Sequence, residues 1–328
     1  MISVALCTYN GEKYILPQLE SIAQQTLLPN EVVICDDGST DETINIIERF
    51  RISSLLNIRL YRNKQNLGST KNFEKALSLC NGDIIFLCDQ DDIWLPEKVE
   101  KSITFFNQKP GVDVVFTDGH VINEKKEIVD TLWNRIRFRK HEQELWKRGK
   151  AFEQLMQYQN RATGATMAFR KSFIKFLLPF EEMSFWIHDG IITLKAALQN
   201  TLSFIDEKLI LYREHQQQQM GLKLRDEKPF QSFTAKVKNR KWINKDEFLQ
   251  TNYADLKIIN EWVKDAEHKK VINKKMRHFE KRIFANSKTP LIRPFIVLPE
   301  WINGNYKKFS CGTNVPSWIL VIKDLFGK

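Results

Sequence analysis

The chain has 328 residues, 42% hydrophobic and 27% charged, enough for one large α/β domain with an appendage or two modest domains, and too apolar for wholesale disorder. Its net charge of +10 is unevenly placed: residues 1–220 carry 27 Lys/Arg against 29 Asp/Glu, whereas residues 221–328 carry 23 against 11. No run of about 18 apolar residues argues for a transmembrane helix, and Met1 leads into a strand-like segment without a signal-peptide pattern, so a cytoplasmic protein is expected.

Short Val/Ile-rich runs at Ser3–Cys7, Glu31–Cys35, Ile58–Tyr61, Asp83–Cys88 and Asp113–Thr117 read as strands. Between them, Tyr14–Gln25, Asp41–Arg49, Ser69–Leu79 and Pro96–Phe106 have helical spacing. This alternation predicts an α/β fold, a parallel sheet with helices on both faces, whose ligands bind at the carboxyl ends of the strands. Five cysteines (Cys7, Cys35, Cys80, Cys88 and Cys311) show no paired C-x-x-C spacing. Cys7, Cys35 and Cys88 end apolar runs and read as small buried hydrophobes.

The residues after the strands are polar. Thr8-Tyr9-Asn10 follow the first, Asp36-Asp37-Gly38-Ser39 the second and Asp89-Gln90-Asp91-Asp92 the fourth. Ser39 or Thr40 suits an N-cap for a helix starting near Asp41, which leaves the two carboxylates before Gly38 unexplained and makes Asp37 a candidate contact to a base or ribose. In the fourth cluster one Asp could cap the helix that begins at Pro96, but a cap needs one carboxylate, and no basic residue occurs nearby until Lys98. Three short carboxylates with oxygen ligands suit Mg or Mn, shared with a nucleotide or diphosphate.

These motifs, together with Asn66-Leu67-Gly68, stand in the order seen in family 2 glycosyltransferases of the GT-A fold, which the chain resembles from Met1 to about Gly221. The resemblance implies a GT-A, Rossmann-like, mostly parallel sheet over residues 1–220, with a nucleotide-binding half at 1–118 and an acceptor half at 119–220. It implies that Thr8, Tyr9, Asn10, Asp36, Asp37, Asn66 and Asp89 hold the donor nucleotide, that Asp91 with Asp89 binds a divalent metal (Mn or Mg), and that Asp92 caps or assists.

In the second half, Arg135-Ile136-Arg137-Phe138-Arg139-Lys140 reads either as a solvated face or as a contact to an anionic acceptor or lipid, and Thr163–Arg170 as strand-like. Phe185-Trp186-Ile187-His188-Asp189-Gly190 precedes an apolar helix at Ile191–Leu198, which Asp189 could simply cap. By resemblance Asp189 is instead the general base: family members carry Glu-Asp here, and the His188-Asp189 of this chain matches the rhamnosyltransferase-like branch. Leu209–His215 reads as a strand ending in Tyr212-Arg213-Glu214-His215, and His215, a lone histidine on residue grounds, is placed by resemblance near the metal or diphosphate. Gln216–Gln219 reads as a polar loop folding over the donor.

The implied reaction is a single inverting transfer of one sugar, with rhamnose a candidate, from a UDP-, dTDP- or GDP-linked donor to a glycan or lipid-linked glycan acceptor of a surface polysaccharide. The Gln-x-x-Arg-Trp motif and membrane helices of processive synthases are absent. Two alternatives stand beside it: a sugar-nucleotide nucleotidyltransferase, against which the single Gly in Thr8–Lys13 counts, and a nucleotide-sugar-binding pseudoenzyme, against which the intact Asp89, Asp91 and Asp189 count. A dehydrogenase is unlike this chain, which has no G-x-G-x-x-G loop.

Residues 221–328 form a basic, aromatic-rich, mainly helical region, with Lys269-Lys270, Lys274-Lys275-Met276-Arg277 and Lys281-Arg282 interleaved with Trp242, Trp262, Trp301 and Trp318. No nucleic-acid motif accompanies them. Two readings stand: a peripheral contact with the inner face of the cell membrane, to which the ending Pro316–Phe326, too short to span but long enough to lie in the headgroup region, would contribute, or a helical subdomain packing its aromatics on the catalytic core.

Overall fold

The computed structural model describes residues 1–158, 160–215, 245–309 and 317–326. The Gln216–Gln219 loop, Trp242, Cys311 and Pro316 lie outside the described residues. Two compact units divide the chain: residues 1–151, 160–182 and the segment from 186 onward to β9 make the first, and 152–158, 183–185, 245–309 and 317–326 belong to the second.

The first unit opens with β1 (Ile2–Thr8), α1 (Ile15–Ala23), β2 (Glu31–Asp36), α2 (Thr43–Ser53), β3 (Ile58–Arg62), α3 (Ser69–Leu79) and β4 (Ile84–Asp89). Every residue of β1 and β2 is buried, as expected of strands covered on both faces, and each Val, Leu, Ile or Phe so enclosed contributes roughly 1.5–3 kcal/mol. These strands run parallel in the order β3-β2-β1-β4. Since β2 lies on one side of β1 and β4 on the other, the strand order reverses at β1, where a parallel α/β sheet opens a crevice. Register puts Thr8 beside Asp36 and Cys7 beside Asp89, so three motifs converge there.

The chain continues through β5 (Ile93–Trp94), α4 (Lys98–Gln108), β6 (Val114–Ile122), β7 (Ile128–Thr131), α5 (Leu132–Ile136), α6 (Lys140–Lys147) and α7 (Ala151–Tyr158). It returns as β8 (Ala168–Arg170), α8 (Ile174–Leu177), α9 (His188–Leu198) and β9 (Leu202–Arg213). The strand expected over Thr163–Arg170 is a 3-10 turn at Gly164–Thr166 followed by a three-residue strand. This β8 inserts antiparallel between β4 and β6. Beyond it β6 pairs parallel with β9, and β9 pairs antiparallel with β5.

Two expected caps are not formed. The helix expected from Pro96 starts at Lys98 behind Glu97, so Asp92 caps nothing; its Oδ1 instead accepts the backbone N–H of Arg213 at 3.1 Å. Neither Ser39 nor Thr40 caps α2, which starts at Thr43 behind Glu42: the Ser39 hydroxyl donates to Asp36 and the Thr40 hydroxyl to Asn10. The basic run at 135–140 is not one solvated face. Phe138 packs edge-on against Trp133 at 5.1 Å in an aromatic cluster with Phe116, Trp146 and Phe204, and Arg135 pairs with Asp130 at 2.8 Å.

The second unit is helical: α10 (Lys245–Trp262), α11 (Ala266–Asn286), α12 (Arg293–Ile302), α13 (Asn305–Phe309) and α14 (Ser317–Phe326). Asp265 caps α11 by accepting the His268 N–H at 2.9 Å. Ala285, Val297, Tyr306, Leu320 and Val321 form its core, and Lys275 Nζ reaches the Met156 carbonyl at 2.7 Å, so segment 152–158 is tied to this unit.

Candidate active site

A cavity of about 440 Å³ opens at the carboxyl ends of β1 and β4. It is lined by Thr8, Tyr9, Asn10, Asp37, Asp89, Asp91, Asp189 and His215, which brings together eight of the residues singled out in the sequence. Asp36 and Asn66 do not line it. Asp36 is fully buried and organises the turn, its carboxylate accepting hydrogen bonds from Thr8 Oγ1 (3.0 Å), Gly38 N (3.1 Å) and Ser39 N (2.9 Å). Asn66 braces Asp37 from behind, donating to its carbonyl at 3.3 Å.

The loops after β1, β2 and β4 are tied to one another. Tyr9 and Gln90 clamp reciprocally: the Tyr9 N–H donates to Gln90 Oε1 at 2.9 Å, and Gln90 Nε2 donates to the Tyr9 carbonyl at 3.0 Å. A Cβ at Gly11 would lie 2.1 Å from Gln90 Oε1, so a larger residue there would push the Gln90 side chain out of this clamp. Asn10, with φ of 47°, accepts the Thr40 N–H at 2.9 Å and donates its own to Ser39 Oγ at 2.9 Å. Asp37 accepts from Asn63 Nδ2 (2.8 Å), Leu67 N (2.8 Å) and Gly68 N (2.9 Å), so the third motif fixes the carboxylate of the second.

Around the acidic cluster the carboxylates repel one another, and Asp92 is buried. Burial, with repulsion from Asp91 and Asp189, pushes Asp89 up to about 7. Asp92 is pushed up by burial and by Asp91 and Asp89. The cation missing from the local sequence is Lys98, whose side chain is fully buried. Its Nζ donates to the Ala165 carbonyl at 3.0 Å and lies 4.8 Å over the Trp94 ring, and burial lowers it to about 8. One turn of α4 therefore carries an internal counter-charge toward Asp89 and Asp92.

The far end of β9 closes the cluster. Arg213 Nε donates to the Asp91 carbonyl at 2.9 Å, and His215 Nε2 lies 2.9 Å from Asp91 Oδ2 while its ring rests on Tyr14. At 2.9 Å this contact is an imidazole–carboxylate hydrogen bond, and it sets side by side two groups of the kind that ligate divalent cations. No group of three or more His, Cys, Asp or Glu side chains suited to a metal occurs among the described residues.

Asp189 sits in the first turn of α9, whose N-cap is Ile187, and its carboxylate accepts from Gly190 N at 2.6 Å and Gly164 N at 3.3 Å. Burial pushes it up to about 6, against the opposing effect of those bonds and of the Asn160 side chain. His188 faces Phe73 at 4.3 Å, and burial pushes it down to about 3, so it is a neutral imidazole in the cavity wall. Gln90, Lys98, Asn160 and Gly164 were not singled out as site residues in the sequence. Lys98 left a signal there as the first cation after the acidic cluster, Gln90 as a member of that cluster, and Gly164 as one of the small residues of 163–170 that let backbone approach a ligand.

The family model for glycosyl transferase family 2 matches residues 3–177, more than half of the chain, including the ends of β1, β2 and β4. The chain belongs to glycosyl transferase family 2. This sets aside the nucleotidyltransferase alternative. Among family relatives, the dTDP-rhamnosyl transferase RfbG of Shigella flexneri is 30% identical over 264 residues, covering 74% of this chain and 81% of that protein. The fold is shared with solved glycosyltransferases. TarS 1-349 of S. aureus with UDP-GlcNAc has a TM-score of 0.58 at 20% identity, covering 99% of this chain and 81% of that one. The mannosyltransferase PcManGT of Pyrobaculum calidifontis, with GDP-Man and Mn2+, has a TM-score of 0.51 at 16% identity, covering 98% and 78%. The fold is thus GT-A, as the order of the strand-end motifs implied.

Proposed function

We propose that this family 2 enzyme is an inverting, metal-dependent glycosyltransferase that moves a single sugar from a nucleotide-sugar donor to a hydroxyl of a glycan or lipid-linked glycan. The observation that carries this reading is the convergence of Asp91, His215 and Asp189 on one cavity at the β1–β4 crevice.

In this reading Thr8, Tyr9, Asn10 and Asp37 hold the nucleoside, while Asp36 and Asn66 keep those loops in shape. Asp91 and His215 would hold a divalent metal (Mn or Mg) beside Asp89, and the metal would offset negative charge on the departing diphosphate. Asp189 takes the proton of the acceptor hydroxyl as that oxygen attacks the anomeric carbon. A carboxylate raised to about 6 suits this task, since it is ionised at neutral pH yet more basic than an ordinary Asp. One in-line attack inverts the anomeric centre, and neutral His188 shapes the wall beside the base without adding charge.

The likeness to a dTDP-rhamnosyl transferase supports dTDP-rhamnose as the donor. A thermal-shift screen of UDP-, dTDP- and GDP-sugars with and without manganese tests both parts. Stabilisation by a dTDP-sugar, increased by manganese, is expected; no stabilisation by any of the set would overturn the donor assignment.

A further inference from the structure

Two helices of the second unit are inside out. α12 buries Arg293, Val297 and Glu300, while Phe295 and Ile302 are each 81% exposed and Leu291, just ahead of the helix, 84%. With the half-buried Leu298, these residues recur at intervals of four, three and four, a continuous apolar stripe on the outward side. α14 repeats the arrangement: it buries Leu320, Val321 and Asp324, and turns out Trp318, Ile322 and Phe326 at intervals of four, the last 72% exposed.

The carboxylates turned inward are held there by hydrogen bonds. Glu300 accepts from Lys281 at 2.6 Å and Asn305 at 2.8 Å and faces His278 Nδ1 at 2.8 Å, while Asp324 accepts from Arg282 and Tyr306, each at 2.6 Å. The outward stripes are therefore not an accident of a core that lacks partners. Single exposed apolar residues are ordinary on soluble proteins, but two such stripes on adjacent helices mark a contact surface.

Charge identifies the occupant. Between residues 281 and 326 the acidic side chains are Glu300 and Asp324, and both are buried. Lys281, Lys307 and Lys308 are exposed and Lys288 and Lys323 partly so, which leaves lysine as the charged residue type exposed among the described residues of this stretch. A second copy of the chain would set lysine against lysine, and a nucleic acid has no use for the Leu, Phe and Ile stripe. A bilayer with anionic headgroups satisfies both features. The helices have ten residues each, about 15 Å, so they suit the headgroup region and not a crossing; no described helix is long and apolar enough to cross a membrane.

We propose that α12 and α14 dock the protein on an anionic lipid surface, with Leu291, Phe295, Ile302, Ile322 and Phe326 entering the interface and Lys307 and Lys308 meeting the headgroups. This inference rests on the second unit's own surface and not on the donor reading.

The test is co-sedimentation of the full chain with vesicles of phosphatidylcholine alone or with about 30% phosphatidylglycerol, at low and high salt. Binding to the anionic vesicles only, weakened by salt, is expected. Phe295→Ser/Ile302→Ser and, separately, Lys307→Gln/Lys308→Gln should each weaken it about tenfold or more with an unchanged circular-dichroism spectrum; the lysine pair decides if the first variant does not fold. No binding to anionic vesicles, or equal binding by wild type and the lysine variant, overturns the proposal. So does a wild-type dimer that Phe295→Ser/Ile302→Ser converts to monomer without any vesicle binding. Transfer to a water-soluble acceptor, measured in the same variants, reports on the catalytic reading separately.

Discussion

His215 Nε2 and Asp91 Oδ2 lie 2.9 Å apart although 124 residues separate them along the chain. The end of β9 thereby completes a site begun at the end of β4. If the pair holds the metal, His215→Ala should weaken the apparent affinity for manganese about 10–100-fold, the range found when a metal site loses a supporting group, and leave metal-free nucleotide binding within about twofold. Titrating manganese against transfer rate and measuring nucleotide binding with chelator present would show it. An unchanged manganese response would assign His215 to structure.

Asp189 should set the acid limb of the rate profile. Its carboxyl is raised to about 6 by burial, and a base works only when ionised. Below that pH the protonated fraction grows, so kcat at saturating donor and manganese should fall about tenfold per pH unit, and it should level off above. Asp189→Asn should lower turnover about 10²–10⁴-fold while retaining donor binding, and the residual rate should lose this limb. Near-normal turnover, or a limb that persists in the variant, would remove Asp189 from the proton transfer.

The legible part of this site was the part written in contiguous residues. A strand end followed by its own polar loop is a local pattern, and Tyr9, Asp37, Asp91 and Asp189 could be picked out because each sits just after a recognisable apolar run or just before one. What packing alone decides was not legible. Asp36 and Asp37 are adjacent and chemically identical, yet register turns Asp36 into a turn organiser behind the cavity and Asp37 into its lining. Asp92 read as a cap because its real partner, Arg213, lies 121 residues away. β8 left too short a pattern to show that it would insert between β4 and β6, and segments 152–158 and 183–185 carry nothing local that ties them to the second unit.

Lys98 should prove a positioning residue for both halves of the site. It supplies a buried positive charge toward Asp89 and Asp92 and holds the Ala165 carbonyl, next to the Gly164 whose N–H donates to Asp189. Lys98→Met leaves that carbonyl without its donor and the carboxylates without their internal cation, a cost of about 1–3 kcal/mol for the lost bond alone. For a unit of this size that corresponds to a melting temperature lower by roughly 2–10 °C. Added manganese should restore more of the loss in the variant than it adds to the wild type, because the ion replaces a missing charge. Equal manganese shifts in the two proteins would show that Lys98 acts through packing only.

The second unit should be acid-labile for a reason distinct from the active site. Glu300 is lowered to about 2, burial opposing and the bonds from His278, Lys281 and Asn305 prevailing. A carboxyl whose folded value lies below its unfolded value stabilises the fold fully above about 4.5, and that contribution is lost as pH falls toward 2. Burial lowers His278 as well, so the fold disfavours the imidazolium and stability begins to fall already as pH drops below about 6.5. Lys281 is 54% exposed, and its bridge is screened by salt and adds little. Glu300→Gln keeps the shape but cannot titrate. It should lower the melting temperature at neutral pH and flatten the profile between about pH 4.5 and 2 while leaving the decline that starts near 6.5. Thermal unfolding followed by far-ultraviolet circular dichroism across this range checks both, and a variant profile parallel to that of the wild type would assign the acid sensitivity to groups outside this network.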